Sequence, residues 1–94
     1  MQVLIFLFMS LPLQAQDAKQ KAAMCAACHG DNGISANTLW PNLAAQKADY
    51  LQKQLKAFRD GVRVDPLMSP VSKTLSDEDI QLLAKYYSDL KGGP

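Results

Sequence analysis

Cys25 and Cys28 are the only cysteines of the chain and His29 is its only histidine, and all three stand in the run Cys25-Ala26-Ala27-Cys28-His29. Few chemistries use two thiols three positions apart with an imidazole directly after them. A dithiol redox centre of the thioredoxin type sets Cys-x-x-Cys beside a βαβ pattern, and no strand pattern is visible here. A closed structural zinc site takes four Cys or His ligands, one more than the chain owns. A three-ligand catalytic zinc site matches by count, but three neighbouring ligands leave little protein to shape a substrate pocket. A disulfide between Cys25 and Cys28 closes too small a loop to staple the chain. What remains is covalent attachment of one haem c, whose attachment sequence is Cys-x-x-Cys-His. The two thiols add to the two vinyl groups on one edge of the porphyrin, and the adjacent imidazole swings under the ring to coordinate iron.

A sixth iron ligand has few sources. A second imidazole from the same chain is excluded because His29 is alone. Of the four methionines, Met1 and Met9 fall in an N-terminal apolar segment, and Met24 adjoins Cys25 on the attachment side, where it cannot cross the ring. Met68 remains, 39 residues beyond His29 and held between Pro66 and Pro70. An isolated methionine is ordinary core filler. On a loop stiffened by proline at both sides it becomes a candidate axial ligand, with Lys73 or a water as the alternatives.

The elements that must position these groups are helical. Asp17 to Cys28 is rich in Ala, Lys and Gln, free of Gly and Pro, and stops at Gly30. Gly30 to Gln46, with two Gly, three Asn, a Pro and a Ser, reads as a long loop. From about Lys47 to Asp60 a second helix carries Ala48, Leu51, Leu55, Phe58 and Val62 on one face, and Gly61 ends it. Gly61 to Leu75 reads as a loop. A third helix starts at Ser76 as N-cap, with Asp77, Glu78 and Asp79 at the positive end of the helix dipole. Asp79 makes an imperfect capping box, since Glu or Gln is the usual partner. Ile80, Leu83, Ala84, Tyr87 and Leu90 form its apolar stripe, and Gly92 and Gly93 close it. The predicted fold is all-α, with three main helices and loops too long for a compact domain unless something other than protein fills the middle.

Size leads to the same conclusion. Residues 1 to 15 include eleven hydrophobic residues and no charge, and the apolar run Val3 to Leu13 covers 11 residues. A bilayer span needs roughly 20 residues, so no stable membrane span is expected. The run suits the hydrophobic region of a secretory signal peptide over residues 1–15, with Ala15 at a cleavage point before Gln16, although no Lys or Arg precedes it. A buried N-terminal core helix is the alternative. The expected mature domain, 16–94, has 79 residues, which build only a marginal core without a staple. The net charge of +1, from ten Lys and Arg against nine Asp and Glu, comes with no basic run, so no nucleic-acid partner is expected.

Taken in order, Met24-Cys25-Ala26-Ala27-Cys28-His29-Gly30, Pro41-Asn42-Leu43-Ala44, Tyr50 to Phe58, Met68-Ser69-Pro70 and Leu75 to Ile80 make the chain similar to the small soluble class I c-type cytochromes. It resembles above all the bacterial group that occurs singly or as tandem domains of two-haem proteins. The resemblance covers about Lys21 to Leu90 and implies the small cytochrome c fold around one haem. It points to Met68 as axial ligand and to the Pro41 carbonyl as acceptor of the proximal imidazole's hydrogen bond. Trp40, Tyr50, Arg59 and Arg63 are candidates to reach the haem propionates, each equally readable as a packed aromatic or a solvated charge. Leu43, Leu51, Leu55, Phe58, Leu83 and Tyr87 are expected to line the haem.

The function implied is that of a periplasmic electron carrier with His/Met ligation, not an enzyme, shuttling single electrons between redox partner proteins in a respiratory or related chain. A monomer or weak dimer is expected. Two alternatives stand beside it: an electron-transfer subunit of one dehydrogenase or oxidase, and an open-site haem sensor if Met68 is not a ligand.

Overall fold

The computed structural model describes residues 13–92, so residues 1–12 of the predicted signal segment lie outside the described residues. Four helices and no strand occupy the described residues: α1 (Leu13–His29), α2 (Ala48–Arg59), α3 (Met68–Ser72) and α4 (Asp77–Asp89). The all-α class is as predicted. α4 lies at the centre, packing against both α1 and α2, while α2 also packs against α3. α1 and α3 do not touch each other.

Each packing face follows from spacing. On α4, Ile80, Leu83, Ala84 and Tyr87 recur at helical intervals and are all at most 3% exposed. On α1, Ala18 and Ala22 are buried four residues apart, their small side chains letting the helix approach α4 closely. Continued by one and two turns, the same stripe reaches Cys25 and then His29, which is 6% exposed. The Tyr87 hydroxyl donates to the Ala22 carbonyl at 3.4 Å across this contact. The chain therefore delivers its reactive run on the buried side of α1. Gly30, at φ +88°, ends the helix with its N–H on the Ala26 carbonyl at 2.9 Å.

Three expectations are revised. α2 ends at Arg59, because Asp60 caps it on the Lys56 carbonyl and Gly61 turns left-handed at φ +80°. Val62 is thereby cut off from the apolar stripe and left 83% exposed. The segment between the prolines is not all loop, since α3 forms there. Pro70 is tolerated as its third residue, where an N–H has no intrahelical partner anyway. The Asp65 carboxylate accepts from the Leu67 and Met68 N–H groups at 2.9 and 2.8 Å, and the Ser69 hydroxyl accepts from the Asp65 N–H at 2.9 Å. The capping box of α4 is complete, because Ser76 Oγ accepts from the Asp79 N–H and Asp79 Oδ2 from the Ser76 N–H, each at 3.0 Å. Aspartate at this position reaches as well as glutamate.

One ion pair, Lys21 Nζ to Asp79 Oδ1 at 2.7 Å, ties α1 to the start of α4. Lys21 and the Ser76 N–H hold the Asp79 carboxyl below its ordinary range, and Asp79 holds the Lys21 ammonium above its own. The pair's contribution to stability is therefore present in full between about pH 4 and pH 10. It fades as pH falls through the lowered Asp79 value and as pH rises through the raised Lys21 value. Chemical denaturation across pH is expected to show Asp79→Asn losing stability at neutral pH while flattening the acid limb of the wild-type curve. An unchanged acid limb would count against the assignment.

Candidate functional site

Between the helices lies a cavity of about 480 Å³, within the range of small-molecule and cofactor sites. Cys25, Cys28 and His29 reach it from α1, Met68 from α3, Leu83, Ala84 and Tyr87 from α4, and Leu51, Leu55 and Phe58 from α2. All six residues expected to line a haem are on its wall, Leu43 among them. His29 and Met68 thus enter one space from two helices that do not touch.

The long loop after Gly30 folds back on the end of α1. The Gly33 carbonyl accepts from the N–H groups of Leu43 and Ala44 at 2.8 and 3.0 Å, and Gly33 donates to Gly30 at 3.0 Å. Asn42 Oδ1 accepts from the Ser35 N–H at 2.7 Å, and the Ser35 hydroxyl donates to the Cys28 carbonyl at 3.3 Å. This folding sets the Pro41 carbonyl 2.7 Å from His29 Nδ1. A carbonyl can only accept, so Nδ1 carries the proton and Nε2 keeps its lone pair. A buried imidazole with its tautomer fixed from behind is the arrangement of a metal ligand.

The thiols are free and partly buried. Burial pushes the Cys25 thiol above its usual range, partly offset by the nearby Tyr87 hydroxyl. Burial likewise pushes the Tyr87 phenol up, with Cys25 adding to the effect. Among the described residues no three His, Cys, Asp or Glu side chains gather where they could share a metal ion. The zinc alternatives therefore have no geometry behind them. An apolar cavity with two thiols and one imidazole at one end and a thioether reaching in from another helix fits a porphyrin bound at its edge.

The weaker candidates separate. Trp40, Tyr50 and Arg63 line the cavity. Arg59 does not: it bonds Asp60 Oδ1 at 2.9 Å and Asp77 Oδ1 at 2.7 Å, linking the end of α2 to the start of α4. Lys73 follows α3 and is not on the cavity wall. Sequence reasoning overlooked the cap that Asp65 places on the Met68 segment, although Asp three residues before the first helical residue is a signal for it.

Comparison with known proteins identifies the family. A family model described as cytochrome c oxidase, cbb3-type, subunit III matches residues 14–86. Cytochrome c-554(548) of Halomonas halodenitrificans is 44% identical over 77 residues, covering 79% of this chain and 93% of that protein. The chain belongs to the small class I c-type cytochromes. This cytochrome is also 41% identical over 86 residues to the thiosulfate dehydrogenase electron acceptor of Thiomonas intermedia, covering 90% of this chain and 40% of that protein. Reduced recombinant cytochrome c4 from Pseudomonas stutzeri superposes with a TM-score of 0.76 at 32% identity, over 83% of this chain and 48% of that one. This cytochrome therefore spans about half the length of that solved relative and nearly all of the Halomonas one. Its relatives are c-type cytochromes that act in electron transfer, and the family implies covalently bound haem c. No helix among the described residues is long and apolar enough to cross a membrane.

The turn behind His29 admits one residue type at position 30. A Cβ on Gly30 would run into the Ile34 carbonyl, and φ there is +88°. Gly30→Ala is expected to cost at least about 1–3 kcal/mol from backbone strain alone. Holoprotein yield and urea midpoint should both fall, whereas Gly61→Ala, whose Cβ meets nothing, pays only the strain of its positive φ.

Proposed function

We propose that this cytochrome is a periplasmic single-electron carrier in which Cys25 and Cys28 hold one haem c through thioethers while His29 and Met68 ligate its iron. The observation that carries the reading is the His29 Nδ1 to Pro41 carbonyl bond of 2.7 Å, in the cavity that Met68 enters from the far helix. Haem c, when bound, supplies a ferric/ferrous couple that takes up and releases one electron. His29, with its proton committed to Pro41, presents Nε2 in a set orientation and with raised basicity. The thioether of Met68 favours the ferrous state, and the apolar walls from Leu51, Leu55, Phe58 and Leu83 favour it too by keeping water out. The couple should accordingly lie high among haem proteins. With His29 and Met68 both holding the iron, no position would be left for a substrate, and the protein would act as a carrier rather than an enzyme.

Electrons would pass at the mouth of the cavity. Met24, Leu39, Tyr50 and Leu67 all line it and remain 42% to 85% exposed. Val62 and Val64, the other large exposed apolar residues among those described, flank Arg63, which lines the cavity as well. An apolar patch of this kind suits the small, transient contacts of electron-transfer partners. Because one relative is named an electron acceptor of thiosulfate dehydrogenase, a dehydrogenase is a reasonable class of donor. The family model, described as subunit III of an oxidase, favours a second reading, a dedicated subunit of one dehydrogenase or oxidase. Copurification from native periplasm separates the two, since a free carrier elutes alone.

Removing the distal thioether tests the ligand assignment. Met68→Ala is expected to abolish the weak charge-transfer band of thioether-ligated ferric haem, lower the potential and admit carbon monoxide to ferrous iron, with the haem still covalently held. Loss of packing alone would cost about 2–5 kcal/mol and leave the band in place. A wild-type ferrous spectrum that changes on adding carbon monoxide would instead favour the open-site sensor. Changing Cys25 and Cys28 together to Ala is expected to give a chain with no covalent haem that fails to fold, as circular dichroism would report.

A further inference from the structure

We infer that Asn32 and Gly33 form a self-modifying site, in which the Asn32 amide is lost through a cyclic imide and the product loosens the loop that sets Pro41 against His29. The inference goes beyond the electron-carrier reading and holds whatever the cavity binds. The chain has three asparagines, Asn32, Asn37 and Asn42, and Asn32 alone precedes a glycine. Glycine has no Cβ, so nothing on residue 33 screens its backbone nitrogen from the side chain before it. Asn32 is exposed, and its Oδ1 accepts from the Ile34 N–H at 3.1 Å. That bond turns the amide back along its own chain and draws electron density from Cγ, the atom to be attacked. Asn37 makes the same turn, with Oδ1 on the Leu39 N–H at 2.8 Å, but Thr38 follows it with a branched side chain. Asn42 Oδ1 is held by the Ser35 N–H, and Leu43 follows.

Water is the only reagent required. The Gly33 nitrogen gives its proton to solvent base and bonds to Asn32 Cγ, the bond from Cγ to Nδ2 breaks, and Nδ2 takes up a proton and leaves as ammonia. Water then opens the ring. Attack at Cγ leaves aspartate, whereas attack at the main-chain carbonyl leaves the backbone running through the side chain, with one extra methylene between residues 32 and 33. The Gly33 N–H donates to the Gly30 carbonyl at 3.0 Å, so the turn must open before the nitrogen reacts. Once formed, the longer backbone finds no slack. Gly33 is buried at φ +76°, and even a Cβ there would stand 2.9 Å from the Ala44 nitrogen. Its carbonyl gathers the Leu43 and Ala44 N–H groups just past Pro41, whose own carbonyl holds His29 Nδ1 at 2.7 Å. Displacing the Gly33 carbonyl therefore frees the segment that fixes the imidazole.

Ageing the purified protein at mildly alkaline pH, then mapping its peptides by mass spectrometry and scoring β-linked residues by enzymatic methylation, tests the chemistry. Conversion is expected at Asn32 ahead of Asn37, with the β-linked residue among the products. The converted fraction, separated by its added negative charge, should have a lower urea midpoint than unconverted protein. Its His29 Nδ1 proton, followed by nuclear magnetic resonance in the reduced protein, should exchange faster with solvent. Asn32→Asp adds the charge without the methylene and should keep both values close to wild type. Asn32→Ser keeps a side-chain oxygen for the Ile34 N–H and should stay unconverted at the wild-type midpoint. The inference is overturned if Asn32 stays intact or converts no faster than Asn37. It is equally overturned if the converted fraction keeps the wild-type midpoint and exchange rate, or if Asn32→Asp shifts them as far.

Discussion

The hydrogen bond from His29 to the Pro41 carbonyl, 2.7 Å long, is the contact on which the arrangement depends. It joins the end of α1 to a loop with no regular structure, and it does so at the one imidazole in the chain. Everything around it is arranged to keep both ends still. Gly30 permits the sharp exit from α1, the Gly33 carbonyl gathers Leu43 and Ala44, and Asn42 holds Ser35. Ala45, at φ +63°, carries backbone strain and donates to the Tyr87 carbonyl at 2.9 Å, which anchors the loop to α4 as well. A loop of this length would be a liability in a compact domain, yet here its hydrogen bonds close on themselves and on the helix that it serves.

The second side of the cavity is made differently. α3 is too short to be stable alone, and its first turn is held by the Asp65 carboxylate, which accepts from the Leu67 and Met68 N–H groups, and by the Ser69 hydroxyl, which accepts from the Asp65 N–H. That device puts Met68 at the start of a helix, with a defined direction for its side chain, although neither flanking proline could have supplied it. α2 supports this turn through packing and α4 packs against both α2 and α1, so helix packing links the two candidate iron ligands through α4 and α2. The cavity that His29 and Met68 both line lies between α1 and α3.

The sequence made most of this legible because helical spacing and the Cys-x-x-Cys-His run are local signals. Ile80 to Tyr87 and Ser76 could be placed from periodicity and capping alone. α3 could not be read, because prolines near it argue for loop, while the stabilising partner, Asp65, acts through a side-chain bond that no periodicity records. The sequence places the end of α2 one residue late, at Asp60, and puts Val62 on its apolar face for a related reason: Val62 continues an apolar spacing that Gly61 interrupts in space. Arg59 and Arg63 were indistinguishable in sequence, being the same residue type four positions apart. Asp77, 18 positions beyond Arg59, draws Arg59 away, and that separation is a matter of tertiary structure.

On the proposed reading, the means by which a protein tunes a haem are distributed over separate elements. The proximal ligand and its carbonyl partner belong to α1 and the first loop, the distal thioether to α3, and the water-excluding walls to α2 and α4. The division spreads the site over separate stretches of the sequence. They come together at α4, whose Tyr87 meets Ala22, the Ala45 N–H and the cavity at once. A change there would shift the attachment helix, the first loop and the haem pocket together, so α4 is where the fold and the redox site are least separable.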